Sequence, residues 1–273
     1  MKNTIELISI GTELLSGRTL NSHAQTLGAA LTRIGLSLSR DTTIPDGIET
    51  IQSAVREVLE RADIVVVSGG LGPTVDDITR EALAGLFGCD IVISPEAIDE
   101  MKKRYATRGR EVTPAAKRQV LVLEGAKTLV NSAGAAPGQL FFPSIGKTVF
   151  VVPGPPNEFA AVLNDHIVPW LQKTFPDAEP LEERVLITQG IGECDIVTLL
   201  ENSTFQCLPA LRSSQSEAGG ISIGFYPECA CPAKLGERSR GKIEIRLSAP
   251  PERAAALDEA ESTLRVLLLD HLI

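Results

Sequence analysis

Asp63-Ile64-Val65-Val66-Val67-Ser68-Gly69-Gly70-Leu71-Gly72-Pro73-Thr74-Val75-Asp76-Asp77-Ile78-Thr79 is the stretch on which the fold turns. It begins with an uninterrupted β-branched run, the composition of a strand buried on both faces of a parallel sheet. Glycines then break the run, and a helical pattern resumes near Ile78. A buried strand, a glycine-rich turn and a helix start form the arrangement that points backbone N–H groups at a phosphate. Asp76 and Asp77 beside such a turn point to a divalent cation. Mg²⁺ takes one or two carboxylates and completes its shell with water and substrate phosphate oxygens. No Gly-Lys-Ser/Thr follows, and Val75 stands where a Rossmann fingerprint needs its third glycine, so neither of those motifs applies. A plainer role also fits: the glycines tighten a turn and the aspartates cap a helix.

Outward from this stretch, short apolar runs alternate with amphipathic ones. Ile5 to Ile10 reads as a strand that ends at Gly11. Ala24, Leu27, Leu31 and Ile34 share one face of a helix over 22–34, and a strand over 36–44 follows. Ile48, Ile51, Val55, Val58 and Leu59 mark a second helix. The pattern predicts further helices over 78–87, 95–107, 114–121 and 157–171, with a buried strand over 148–152. Strands alternating with helices mean βαβ units, hence an α/β fold with a three-layer αβα sandwich. Ligands of such sheets sit at the carboxyl ends of the strands. Three turns follow strands at that edge: Gly11-Thr12-Glu13, Ser68 to Gly72, and Pro153-Gly154-Pro155-Pro156. Pro and acidic residues interrupt the pattern over 173–180, which separates a domain over 1–173 from a smaller α+β domain over 180–273. The smaller one reads as strand 184–189, helix 192–201, strands 220–225 and 242–248, and a closing helix over 251–269.

Composition bounds the function. The chain has 273 residues, 43% hydrophobic and 22% charged, enough apolar material for a real core. A net charge of -9 argues against a general nucleic-acid or membrane-surface binder. The longest uncharged run, 128–146, is broken by Gly134, Pro137, Gly138, Pro143 and Gly146, so it makes no membrane span. Five cysteines (Cys89, Cys194, Cys207, Cys229, Cys231) include no C-x-x-C and speak against structural zinc or a disulfide framework; a cytoplasmic protein is expected. Other polar residues gather at the same sheet edge: Asn21 before the first helix, Asp46 after Pro45, Asn131 and Gly134 in a bend-rich loop, and Glu158 after Pro156. His23, in the first helix turn near that edge, reads as a solvated surface residue, with a ligand contact as the alternative, and His166 and His271 as incidental. No Gly-x-Ser-x-Gly elbow supports a serine nucleophile. The 180–273 segment has no basic Gly-x-x-Gly loop to clamp nucleic acid, and Arg238-Ser239-Arg240-Gly241-Lys242 reads as a solvated turn.

Taken together, these motifs resemble a known family. Gly11-Thr12-Glu13-Leu14-Leu15, Asn21, Gly69 to Thr79, Arg118-Gln119, Gly134-Ala135-Ala136-Pro137-Gly138 and Pro153-Gly154-Pro155-Pro156-Asn157-Glu158 look like the CinA family of competence/damage-inducible proteins. Gly190-Ile191-Gly192-Glu193 and Lys242 to Leu247 extend the resemblance to that family's small KH-like domain. The resemblance implies a molybdenum-cofactor-biosynthesis-type (MoCF) pyrophosphatase domain over 1–173 and a KH-like domain over 180–273. It implies a metal-dependent hydrolase that splits ADP-ribose, or a related dinucleotide, into AMP and ribose 5-phosphate. It further implies a homodimer, with nicotinamide mononucleotide deamidase activity absent. The expected cofactor is a divalent ion (Mg²⁺, Mn²⁺ or Co²⁺), with K⁺ as a candidate addition.

On that reading Asp77, Asp76 and Asp46 are catalytic, and Asp76, Asp77 and Glu13 hold the metal. Gly69, Gly70, Leu71, Gly72, Thr74, Thr12, Glu13, Asn21, Asn131, Gly134, Gly154, Pro155 and Glu158 contact the substrate. Ala135 stands where the family commonly has Thr, and Ser22-His23 replaces its usual Asn-rich sequence. Molybdopterin adenylyltransferases supply the alternative, since Asp77 and Asp46 fall on their site aspartates. Asp76 falls on their arginine, an exchange of an anion contact for a metal ligand that favours the hydrolase. A nucleotide- or pterin-binding module without catalysis is the third reading.

Overall fold

The computed structural model describes residues 4–203, 220–227 and 241–273. Cys207, Cys229, Cys231 and Arg238 to Arg240 of the basic turn lie outside the described residues. The chain divides into two compact units, Met1–Ala178 and Glu179–Ile273.

The first unit opens with β1 (Ile5–Ile10), the short α1 (Thr12–Leu15), α2 (His23–Thr32) and β2 (Leu38–Ile44). Next come α3 (Ile48–Arg61), β3 (Ile64–Ser68) and α4 (Thr79–Phe87). The segment between the two halves of the sheet holds β4 (Ile91–Ile93), α5 (Pro95–Ala106), α6 (Pro114–Arg118), β5 (Leu121–Leu123) and β6 (Lys127–Leu129). The unit closes with β7 (Gly138–Ser144), β8 (Lys147–Val152), α7 (Pro156–Val162) and α8 (Val168–Thr174).

Six strands form one sheet in the order β2-β1-β3-β8-β7-β6. β2, β1, β3 and β8 run parallel, and β7 and β6 are antiparallel additions. Alternation of side chains along a strand sends neighbours to opposite faces. In β3, Val66 joins a core with Leu27 and Leu31 of α2 and Phe159 of α7, whereas Val65 and Val67 join one with Ile51 and Val55 of α3 and Leu83 of α4. The sheet is therefore the middle of three layers, as the β-branched run predicts. Among the described residues no helix is long and apolar enough to cross a membrane.

Two helices differ from their sequence pattern. The helix expected over 114–121 stops at Arg118, and Leu121–Leu123 becomes β5, paired antiparallel with β4. Val122 and Leu123 are buried in that strand, and Val120 before it packs against Ala97 and Met101 of α5 and Ala116 of α6. The helix expected over 157–171 is interrupted by a π-helical turn at Leu163–Ile167, between α7 and α8. Pro169 explains it: proline has no N–H for the carbonyl four residues back, and a π-turn absorbs the missing bond.

The second unit is α+β. β9 (Glu182–Gln189), α9 (Glu193–Glu201), β10 (Ser222–Pro227), β11 (Lys242–Ala249) and α10 (Ala254–Leu267) follow in order, with an antiparallel sheet β10-β11-β9. Its own core joins Leu186, Ile245 and Leu247 to Ile196 of α9 and Leu257 and Leu264 of α10.

Phe150, fully buried at the centre of β8, meets Trp170 edge-on at 5.3 Å between ring centroids. Truncating such a ring costs about 3–5 kcal/mol. Phe150→Ala is expected to lose that much in urea unfolding followed by Trp170 fluorescence, which reports on the first unit because Trp170 is the chain's one tryptophan. A loss below about 1 kcal/mol would show that this central strand is not the core it is taken to be.

Candidate active site

Because β1, β3 and β8 are adjacent and parallel, their carboxyl ends emerge side by side. Each releases a glycine-containing loop, and together with the end of β2 these loops enclose a cavity of about 520 Å³. The crowding is tight enough to dictate residue type. Gly69 has φ 108°, and a β-carbon there would collide with the carbonyl oxygen of Ile10; Gly70, at φ 66°, would collide with Thr79. Thr79 seals the turn: its N–H donates to the Gly70 carbonyl, and its hydroxyl donates to the Gly69 carbonyl at 2.8 Å.

The loop amides are divided between fold and cavity. The Gly69 N–H donates to the Val152 carbonyl, which joins the loop to β8. The Gly72 N–H donates to Asp77 Oδ1 at 2.7 Å. Of the four amides expected to cradle a phosphate, two are thus committed to the structure, which leaves those of Gly70 and Leu71. The second carboxylate oxygen of Asp77 accepts from the Thr74 N–H at 2.8 Å and from the Thr74 hydroxyl. Asp77 is therefore the clamp of the 72–77 turn before it is anything else. Asp76 stays exposed, and the nearby Thr74 side chain favours its charged form, which holds its carboxyl below the usual carboxylate range.

Glu13, Asn21, Asp46, Gly69 to Gly72, Asp76, Asp77, Gly154, Pro155 and Glu158 all face this one cavity; Thr12, Thr74, Asn131 and Gly134 do not line it. Thr12 ties two loops together, donating to Asp46 Oδ2 through its N–H and its hydroxyl, both at 2.9 Å. Asn21 accepts the His23 N–H at 3.1 Å and donates to the Thr43 hydroxyl, which fixes the start of α2 against β2. Asn131 is 3% exposed. It donates to the Ala136 carbonyl and to Glu158 Oε2, and accepts the amides of Ala133 and Gly134. All its hydrogen-bonding groups serve the loop, not a ribose. A β-carbon on Gly134 would collide with the Glu158 carboxylate. Burial raises the Glu158 carboxyl above its ordinary range, against the Asn131 hydrogen bond and the charge of Arg104.

Two sequence readings need correction. His23 is not a solvated surface residue: it is 6% exposed and forms part of the cavity wall. Its ring lies parallel to Phe159 at 4.2 Å, and Nδ1 shares a 2.9 Å hydrogen bond with Ser68 Oγ. The apolar residues that enclose it come from α7, far along the chain, so local pattern could not show the burial. Asp76, Asp77 and Glu13 do not form a ligating trio either. Among the described residues no group of three His, Cys, Asp or Glu is placed to hold a metal ion, and both Asp77 oxygens accept hydrogen bonds from their own loop.

Sequence reasoning also passed over Arg80, which is 1% exposed beneath the glycine loop. A signal was there: Arg80, Leu83, Ala84 and Phe87 share the i, i+3, i+4, i+7 face of α4, so the arginine had to be buried or the helix turned.

Residues 6–173 match the family model described as "Probable molybdopterin binding domain", so the first unit is a domain of that class. The chain belongs, more particularly, to the CinA-like family. It is 34% identical over 271 residues to a competence-damage inducible protein of Caldicellulosiruptor saccharolyticus, across 98% of this chain and 60% of that protein. It is 38% identical over 188 residues to a CinA-like protein of Trichormus variabilis, across 69% of this chain and 45% of that one. The crystal structure of CinA from Thermoplasma acidophilum, a protein given there as of unknown function, is 36% identical. It covers 59% of this chain and 95% of its own, with a TM-score of 0.54. The chain thus spans about 60% or less of the length of these two relatives.

Burial holds the His23 pKa below its ordinary value, against a hydrogen bond from the ring to the Gly154 backbone. An imidazole kept neutral in the folded state protonates first in the unfolded chain, at about pH 6.5. The first unit is therefore expected to lose stability as pH falls through that value toward the lower folded pKa, then to level off. His23→Gln is expected to flatten this slope in unfolding measured from pH 7.5 to 5; an unchanged slope would assign it to other groups.

Proposed function

We propose that this chain is a divalent-metal-dependent hydrolase of the pyrophosphate bond in an adenine-containing dinucleotide, with ADP-ribose the first candidate and AMP and ribose 5-phosphate the products. The observation that carries this reading is the charge of the cavity wall. Glu13, Asp46, Asp76, Asp77 and Glu158 line it, and among the described residues no lysine or arginine does. A pyrophosphate beside free loop amides and uncompensated carboxylates is repelled unless a cation comes with it.

The donor set fits a hard ion. Carboxylate oxygens are available, no cysteine among the described residues lines the cavity, and His23 Nδ1 is already engaged. With no ligating trio among the described residues, the fit is to an ion held by one or two carboxylates, Asp76 with Glu13 or Asp46, together with the substrate's own phosphate oxygens. When bound, such an ion neutralises charge on the phosphoryl group and lowers the pKa of a coordinated water. The chain's own groups do the rest. The amides of Gly70 and Leu71 donate to a phosphoryl oxygen, and Asp77 keeps the turn in shape. Glu158, its carboxyl raised by burial, accepts the proton of the attacking water. The water oxygen bonds to one phosphorus as the bridging P–O bond breaks, which releases two phosphomonoesters.

A second reading is favoured by the match of residues 6–173 to a molybdopterin-binding-type domain: the cavity takes a pterin and ATP, with or without adenylyl transfer. A turnover screen separates the two. The chain is incubated with ADP-ribose, FAD, NADH or molybdopterin plus ATP, with Mg²⁺, Mn²⁺ or Co²⁺, with and without K⁺, and products are resolved by chromatography. The expected outcome is AMP and ribose 5-phosphate from ADP-ribose, abolished by chelator and reduced by roughly 100-fold or more in Asp76→Ala. Adenylylated pterin would install the transferase instead, and tight nucleotide binding without turnover at any metal concentration would reject both enzymes.

A further inference from the structure

Arg80 is a buried cation that the proposed reaction does not use. Its NH1 donates to the Leu71 carbonyl at 2.9 Å and its NH2 to the Gly72 carbonyl at 3.1 Å. Nε is buried with no partner among the described residues. A guanidinium in such a place normally meets a carboxylate. Here its direct partners are two carbonyl groups of the glycine loop, and Asp77, Glu81 and Arg118 act on it through space.

The peptide joining Leu71 to Gly72 links this cation to Asp77. Its carbonyl oxygen accepts from Arg80, and its N–H donates to Asp77 at 2.7 Å. One peptide group thus lies between a positive and a negative side chain, its dipole aligned with both. Hydrogen bonds to charged groups are the stronger kind, and each polarises the next. The arrangement fixes the orientation of this peptide, and with it the entry and exit of the neighbouring amides.

We propose that Arg80 is a positioning residue. Opposite Asp77, it holds the Leu71–Gly72 peptide between two charges, and so sets the loop shape that offers the amides of Gly70 and Leu71 to a substrate anion. The role rests on the reading of this loop as a phosphate site. It also supplies a positive charge that the described residues of the cavity wall lack, from behind the loop, where it leaves the carboxylates of the wall free for a metal ion. Lysine keeps the charge but cannot span two carbonyls with a planar fork.

The test uses the full chain labelled with ¹⁵N, comparing wild type, Arg80→Lys, Arg80→Met and Asp77→Asn. The Gly72 amide is read by chemical shift and hydrogen exchange, and Mg²⁺-pyrophosphate binding by calorimetry. In Arg80→Met, the Gly72 amide is expected to move upfield and lose at least roughly tenfold in protection, and pyrophosphate affinity to fall by roughly 10- to 100-fold. Arg80→Lys should recover part of both. Adding Asp77→Asn to Arg80→Met should cost much less than it does in wild type, because both residues hold the same peptide. A folded Arg80→Met protein with wild-type Gly72 protection, or strictly additive losses in the double variant, would overturn the proposal. Should Arg80→Met fail to fold, Arg80→Gln, which keeps one donor, gives the same readouts. Wild-type protein that binds no pyrophosphate would reject the phosphate reading, while the Gly72 amide still decides whether Arg80 holds the loop.

Discussion

The carbonyl oxygen of Ile10, at the end of β1, occupies the space where a side chain on Gly69 would begin. Everything at the carboxyl edge of the sheet follows from that close approach. Adjacent strands of a parallel sheet lie about 4.8 Å apart, and three of them release loops at the same level. The loops can share one cavity only if their backbones nearly touch, so Gly69 faces Ile10 on one side and has Gly154 on the other. The consecutive left-handed conformations of Gly69 and Gly70 bend the chain away from the sheet and leave α4 to start under the loop.

That geometry creates an electrostatic problem, and the surrounding residues answer it in layers. Carboxylates face the cavity and a guanidinium lies behind the loop, with a peptide group between them. Glu158 is shielded enough by burial to hold its proton more tightly than an ordinary carboxylate. His23 stays neutral because Phe159 and the end of β8 surround it. Three kinds of ionisable group thus stand around one cavity in three electrostatic settings, a condition under which acid–base and metal chemistry can be divided among neighbours.

The legibility of the fold varied with the range of the interactions behind each element. β3 and its glycine turn were plain, because a β-branched run and consecutive glycines each have one local explanation. α3 was equally plain from its repeat of apolar residues. The π-turn at Leu163–Ile167 and the conversion of 121–123 from helix to strand were not. The first depends on how α7 and α8 both reach the sheet past Pro169. The second depends on β4, whose pairing partner is nearly thirty residues away. At the site, the residue types were legible and their duties were not. That Asp77 and Asn21 face the cavity while also bonding to their own loops, and that Asn131 is spent on its own loop, could not be read, because polar side chains near glycines look alike in sequence whichever they do.

The amino-acid sequence by itself determined the layers, the edge at which a ligand would sit and the acidic character of that edge. These depend on residue periodicity, strand–helix alternation and composition, all of them local or additive. Only the tertiary structure decided which carboxylates are free, which amides remain for a ligand, and that His23 and Arg80 are buried. Those outcomes depend on groups brought together from distant segments: Ser68 and His23 are 45 residues apart, and Thr12 and Asp46 are 34 apart. A hydrogen bond between such groups exists only once the sheet order has placed their loops side by side.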